Sequence, residues 1–224
     1  MNNQSKIKNP VRIFIIDDHP VFRKGLAQLL SAENDFDICG EAEDADAALK
    51  LLKKKLPDLA IVDITLKNSS GIDLIKNIKL LFPEMLTLTL SMHDEMIYAE
   101  RALRAGSKGY VMKQEAPETI VKAIRHILKG NTYFSDNVTT RLFSKIAEGD
   151  QKAGTSSPVD LLSDRELEIF QLIGRGFSSR QIAGKLHISI KTVENHRAHI
   201  KEKLNLSSAI ELVQHATLWV QKDV

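Results

Sequence analysis

The sequence predicts an α/β domain, built on a doubly wound five-stranded parallel sheet, joined by a linker to a small all-α domain. Three observations carry this. Between Val11 and Lys129, short apolar strands alternate five times with amphipathic helical segments, the pattern of a parallel sheet with helices on both faces. Four of those strands end in polar residues of distinct chemistry: Asp17-Asp18, Asp63, Ser91 and Lys113. After Asp160 the strand pattern stops and four helical segments follow.

Val11–Ile16 is an apolar strand ending at Asp17-Asp18. Pro20 to Leu30 is helical by the spacing of Val21, Phe22, Leu26, Leu29 and Leu30. Phe36 to Gly40 is a short strand containing the single cysteine, Cys39, read as a small buried residue. Asp44 to Lys54 is helical, with Ala45, Ala48, Leu49 and Leu52 on one side. Leu59-Ala60-Ile61-Val62 reads as a strand buried on both faces, with Asp63 directly after it. Gly71 to Leu81 is a helix through Ile72, Ile75, Ile78 and Leu81, closed by Pro83. Leu86–Leu90 ends at Ser91, Asp94 to Arg104 is helical, and Gly109–Met112 ends at Lys113. A last helix starts near Pro117 and stops at Gly130. Right-handed crossovers between such units give a strand order of the flavodoxin-like type.

Composition sets broad limits. The chain has 224 residues, 43% hydrophobic and 27% charged, enough for one large or two small domains. No apolar run approaches the roughly 18 residues of a membrane span, and Met1 to Lys6 lacks the apolar core of a signal peptide. No membrane partner and a cytoplasmic location are therefore expected. One cysteine excludes an intramolecular disulfide and offers no zinc spacing. A net charge of +2 does not announce nucleic acid, but Arg180 to Lys203 holds 6 basic against 2 acidic residues.

In a parallel sheet the carboxyl ends of the strands lie on one edge, where such sheets bind ligands. Asp17, Asp18, Asp63, Ser91 and Lys113 would converge there. Alone, Asp63 reads as a polar residue closing a strand. Together, three carboxylates repel unless a cation joins them, and oxygen donors with no His or Cys nearby suit Mg²⁺. Carboxylate, metal, ammonium and hydroxyl make a phosphoryl-transfer kit, with Asp63 as the nucleophile that becomes an acyl phosphate.

The order Asp17-Asp18, Asp63, Ser91, Lys113 resembles the receiver domain of two-component response regulators, over residues 9–130. The resemblance implies that a sensor histidine kinase donates its phosphoryl group to Asp63. It implies that Asp18, Asp63 and the carbonyl of Thr65 bind Mg²⁺, with Asp17 acting through water. Lys113 would contact the phosphoryl group, Ser91 would swing toward it, and Tyr110 would turn inward behind Ser91. Leu66-Lys67-Asn68 stands where the family usually carries Met-Pro-Gly, while Gly71 keeps the glycine eight positions after the nucleophile. Thr65 and His93 occupy variable positions that influence the phosphoryl lifetime in the family.

Residues 131–160 read as a linker with a helix near 136–147, capped by Ser135 or Asp136 and apolar at Val138, Leu142, Phe143 and Ile146. Glu148 to Asp160 is polar and rich in glycine and serine. Residues 161–222 form the second domain. Ser163-Asp164-Arg165-Glu166 and Ser178-Ser179-Arg180-Gln181 are capping boxes. The first starts a helix with Leu167, Phe170 and Ile173 inward, ended by Gly174 and Gly176. The second starts a short helix, and His187-Ile188 make a turn. Ser189 caps a third helix with Val193, Ile200 and Leu204 inward. A fourth, from about Ser208 to Val220, carries Ile210, Val213, Leu218 and Trp219. This pattern fits either a helix-turn-helix or a small bundle used for oligomerisation.

Leu162–Glu166, Ser179–Ala183 and Lys191–Arg197 closely resemble the LuxR-type DNA-binding domain, and with the receiver they resemble the NarL/FixJ class of response regulators. That implies a transcription factor rather than an enzyme, with double-stranded promoter DNA as partner, a homodimer when phosphorylated, and RNA polymerase as a further candidate partner. The third helix would enter the major groove. Glu194, Asn195 and Ala198 would face base edges, with His199 exposed beside them, and Lys191, Thr192, Arg197, Lys201 and Arg180 would meet phosphates. His196 would be packed within the module, and the last helix would form the dimer contact.

Overall fold

The computed structural model describes residues 9–67, 69–147 and 158–222. The chain divides into two compact units, residues 1–144 and 145–224.

In the first unit β1 (Val11–Ile16), α1 (Pro20–Ser31), β2 (Phe36–Ala42), α2 (Ala45–Lys55) and β3 (Leu59–Asp63) come first. They are followed by β4 (Thr65–Leu66), β5 (Ser69–Ser70), α3 (Gly71–Leu81), β6 (Leu86–Ser91), α4 (Glu95–Ala105), β7 (Gly109–Met112) and α5 (Pro117–Leu128). Five strands form one sheet in the order β2-β1-β3-β6-β7, and every pair is parallel. This is the expected flavodoxin-like order.

Strand side chains alternate between the two sides of the sheet. Ile13, Ile15, Leu59, Ile61, Leu88, Leu90 and Val111 form one buried cluster with Leu26 and Leu30 of α1 and Ile120, Ile124 and Ile127 of α5. The alternate residues Phe14, Ile16, Ala60 and Val62 are also buried, where α2, α3 and α4 meet the strands. Asp44, Ser70 and Asp94 cap α2, α3 and α4 by accepting backbone N–H bonds, so each helix starts where its cap residue dictates.

Several expectations are corrected. Val21 and Leu81, placed on apolar faces by periodicity, are exposed, because each lies at a helix end beyond the stripe that meets the sheet. Cys39 is half-buried, its thiol donating to the Ile13 carbonyl. Periodicity gives no sign of the antiparallel β4–β5 ladder, which pairs Thr65 with Ser70 and Leu66 with Ser69. Asn68, in the run that departs from Met-Pro-Gly, lies outside the described residues.

A helix α6 (Asp136–Ala147) follows, with the Ser135 hydroxyl accepting from the Val138 N–H at 3.3 Å. Val138 is buried, but Phe143 is 67% exposed rather than part of an inward face. The side chain of Ile146 and residues 148–157 of the expected linker lie outside the described residues.

The second unit contains α7 (Asp164–Gly174), α8 (Ser179–Lys185), α9 (Ile190–Lys203) and α10 (Ala209–Lys222). Both capping boxes form as pairs, Ser163 with Glu166 and Ser178 with Gln181, and Ser189 caps α9. His187, at φ 52°, makes the turn between α8 and α9. Leu167, Phe170, Ile173, Ile182, Val193 and Ile200 are buried in a common core with Leu212 and Ala216 of α10. The inward face of α10 is thus Leu212–Ala216, with Trp219 half-buried 5.8 Å from the Phe170 ring. Ile210, Val213 and Leu218 are exposed, contrary to a simple inward reading. Among the described residues no helix is long and apolar enough to cross a membrane.

Gly71 shows how tightly the loop after β3 is held. Its N–H donates to the Ile64 carbonyl at 2.7 Å, and a Cβ there would lie 1.8 Å from the Asp63 carbonyl oxygen. Gly71→Ala should destabilise the first unit by about 1–3 kcal/mol, through forced backbone movement. Urea unfolding followed by circular dichroism measures this, and an unchanged midpoint would contradict the packing described.

Candidate functional site

The parallel registers bring the strand ends together. Ile16 pairs with Val62, Asp63 with Leu90, and Ser91 with Met112, so Asp17, Asp63, Ser91 and Lys113 arrive at one edge. At its centre is Lys113. Its Nζ lies 2.6 Å from both Asp17 Oδ2 and Asp63 Oδ2, and all three side chains are only 3% exposed. The ammonium also sits 4.6 Å from the centre of the Phe22 ring, a favourable cation–π arrangement. Asp63 Oδ1 accepts the Thr65 N–H at 3.3 Å. Burial raises Asp63 to about 7, against the pull of Lys113 and with the Asp17 charge adding to the rise.

Asp18 and His19 flank this pair. His19 donates its main-chain N–H to Asp17 Oδ1 at 2.8 Å, an Asx-type turn that bends the chain into α1. Asp17, Asp18, His19 and Asp63 each offer a ligand atom within 4.8 Å of the others. Asp18 Oδ1 is buried and lies 2.8 Å from His19 Nδ1, without a hydrogen bond among the described residues.

Ser91 is fully buried, and its Oγ accepts the His93 N–H at 3.0 Å. Tyr110 is buried and donates its hydroxyl to the His93 carbonyl at 2.8 Å. Burial raises the phenol pKa, which keeps it a donor. His93 Nε2 lies 2.9 Å from the Thr65 hydroxyl. The two variable positions flanking the site are therefore joined directly. Sequence reasoning missed His19, whose only signal is its place after Asp18, and the support of Phe22 under Lys113.

The second unit presents α9. Lys191, Glu194, Asn195, Ala198 and His199 are exposed, Thr192, Arg197 and Lys201 half-buried, and Arg180 of α8 exposed. Thr192 is tied to the cap, its N–H donating to Ser189 Oγ at 3.0 Å. Arg197 Nε lies 3.8 Å from Glu194. The far end of α9 is fastened by Lys203, which donates to Glu166 at 2.7 Å. Burial opposes ionisation of Glu166, but Lys203 and the Ser163 N–H outweigh it and hold the carboxyl below its usual range. His196 is half-buried, and burial lowers its pKa.

Comparison with known proteins agrees with both halves. The response regulator receiver domain matches residues 13–125, and the bacterial regulatory proteins of the luxR family match residues 160–216. The oxygen regulatory protein NreC of Staphylococcus carnosus (strain TM300) is 37% identical over 209 residues, covering 92% of this chain and 96% of NreC. RcsB of Salmonella enterica serovar Typhimurium, bound to promoter P1flhDC with the phosphomimetic BeF3-, is 31% identical, with a TM-score of 0.57 over 92% of this chain and 97% of that one. A structure of two RcsB dimers bound to two parallel DNAs matches at 30% identity and a TM-score of 0.56, over 93% of this chain and 98% of that one. Receiver chemistry at the sheet edge and a LuxR-type helix-turn-helix in one chain place it among the two-component response regulators of the NarL family, transcription regulators rather than enzymes.

Proposed function

We propose that Asp63 is the phosphoacceptor of this regulator, with residues 9–130 as the receiver, 131–160 as linker and 161–222 as the DNA-binding domain. The observation that carries the reading is the buried contact of Lys113 with both Asp17 and Asp63 at 2.6 Å. A sensor histidine kinase supplies the phosphoryl group. An Asp63 carboxylate oxygen forms the new O–P bond as the P–N bond of the phosphohistidine breaks, and the imidazole leaves with a proton. Lys113 neutralises charge on the phosphoryl oxygens. Ser91 turns its hydroxyl from the His93 N–H to donate to one of them, and Tyr110 follows inward.

The acidic pocket fits Mg²⁺ held by Asp18, Asp63 and the Thr65 carbonyl, with Asp17 acting through water. Three carboxylates face one ammonium, and the buried Asp18 Oδ1 makes no hydrogen bond among the described residues, with His19 Nδ1 2.8 Å away. Bound there, a divalent cation would supply positive charge to the transferring group. The protein is assigned to the cytoplasm, where kinase, promoter and RNA polymerase meet it.

Phosphorylation adds about −1.5 to −2 charge beside Lys113 and favours a homodimer that binds promoter DNA. The exposed row Ile210, Val213 and Leu218 supports α10 as the dimer contact. In the groove, Glu194, Asn195 and Ala198 face base edges with His199 beside them. Lys191, Thr192, Arg197, Lys201 and Arg180 hold phosphates.

Incubation with acetyl phosphate and Mg²⁺ should add one phosphoryl group by intact mass, absent in Asp63→Ala, with a shift toward dimer on size exclusion. A modified Asp63→Ala protein would refute the assignment. In chelated protein, raised Asp63 keeps its proton to about pH 7, so this group's contribution to stability is present at pH 4 and lost as pH rises through 7. Mg²⁺ binding should therefore tighten between pH 5.5 and 7.5 and release a proton at pH 6, as read by calorimetry in buffers of different ionisation enthalpy. On operator DNA, Asn195→Ala should lose about 1–3 kcal/mol of sequence discrimination. Lys191→Ala should weaken all sequences alike and reduce the salt slope by about one.

A further inference from the structure

A second group of donors suited to a metal lies in the helical unit, formed by Glu166, His196 and His199. Each offers one ligand atom within 4.8 Å of the others. His196 and His199 stand three residues apart on α9, so they share a helix face. Glu166 meets that face from the first turn of α7. Because the donors come from two helices, the sequence carries no zinc spacing that would announce them.

The Glu166 carboxylate is fixed by its neighbours. Its side chain is 5% exposed, and Oε2 accepts from the Ser163 N–H and from Lys203, both at 2.7 Å. The other oxygen, Oε1, lies 4.0 Å from His199 Nδ1, too far for a hydrogen bond. On His196, Nδ1 is buried and makes no hydrogen bond among the described residues. A buried polar atom left so is costly, and a bound ion is one way to account for it. Neutral imidazole carries its proton on either nitrogen, so coordination through one nitrogen only selects the tautomer with the proton on the other.

We propose that Glu166, His196 and His199 form a zinc site, with Glu166 Oε1 and one ring nitrogen of each histidine as ligands and water in the fourth position. Two imidazoles and a carboxylate suit Zn²⁺, whereas Mg²⁺ takes oxygen donors and gains little here. Tetrahedral zinc, with bonds of about 2.0–2.1 Å, sets its donors about 3.3 Å apart. Rotation of His199, whose side chain is 62% exposed, closes its distance to Oε1 with little packing to lose. Lys203 keeps its contact through Oε2. The ion ties the first turn of α7 to α9, the helix assigned to the major groove. This group shares no residue with the acidic pocket at the sheet edge, and it does not depend on that pocket holding a cation.

The test titrates the full chain with Zn²⁺ against a chromophoric chelator at about pH 7.5, where an ordinary histidine is neutral. Asp63→Ala, which disables the acidic pocket, should still bind one Zn²⁺, and X-ray absorption at the zinc edge should show two imidazole nitrogens. His199→Ala, made in the same background, removes an exposed side chain and should weaken zinc by more than about a hundredfold, beyond the loss expected of a residue that only orients a ligand. His196→Gln should weaken it by as much. A smaller fall in His199→Ala, zinc binding lost in Asp63→Ala, or no zinc bound by the wild type would each overturn the assignment.

Discussion

Lys113 holds two buried carboxylates that would otherwise repel. Asp17 and Asp63 end neighbouring parallel strands, and the ammonium reaches both from the end of β7 while resting over Phe22 of α1. Taking these charges out of water is expensive, and only the close mutual contacts offset it. The arrangement thus depends on three strands and one helix being in place. The remaining excess of negative charge makes the same edge receptive to cations.

Much of this was legible in the sequence. Parallel strands leave all their carboxyl ends on one edge, so polar residues closing successive strands had to meet. The stretch Leu59–Asp63 announced its burial because every residue before Asp63 is apolar. What periodicity could not show were features made by tertiary contact. The β4–β5 ladder is four residues with Leu66 alone apolar, too short a stretch for any period to show. The link between Thr65 and His93 joins residues 28 apart in sequence, where no local pattern can show it.

In the second unit the signals were local and read more completely. Ser163, Ser178 and Ser189 each satisfy N–H groups that a helix start leaves unpaired, and each marks its helix by itself. The exception was α10. Its inward stripe is set by Gly174 of α7, where a Cβ would come within 2.3 Å of the Ala216 carbonyl oxygen. That close approach selects Leu212 and Ala216 for the core and turns Ile210, Val213 and Leu218 outward. Hydrophobicity alone does not distinguish these two rows; the absence of a side chain on another helix does.

The place of β7 at the edge of the sheet, last among its strands to be synthesised, has a consequence for biosynthesis. β6 finds its second neighbour only when Gly109–Met112 has been made, and α5 covers that end later still. Until then a growing chain carries an unpaired strand edge beside an uncovered apolar face, the kind of surface on which nascent chains associate. The helical unit that follows is built from neighbouring segments and is suited to rapid folding. A chain halted before α5 would leave Leu88, Leu90 and Val111 without the cover that Ile120, Ile124 and Ile127 give them.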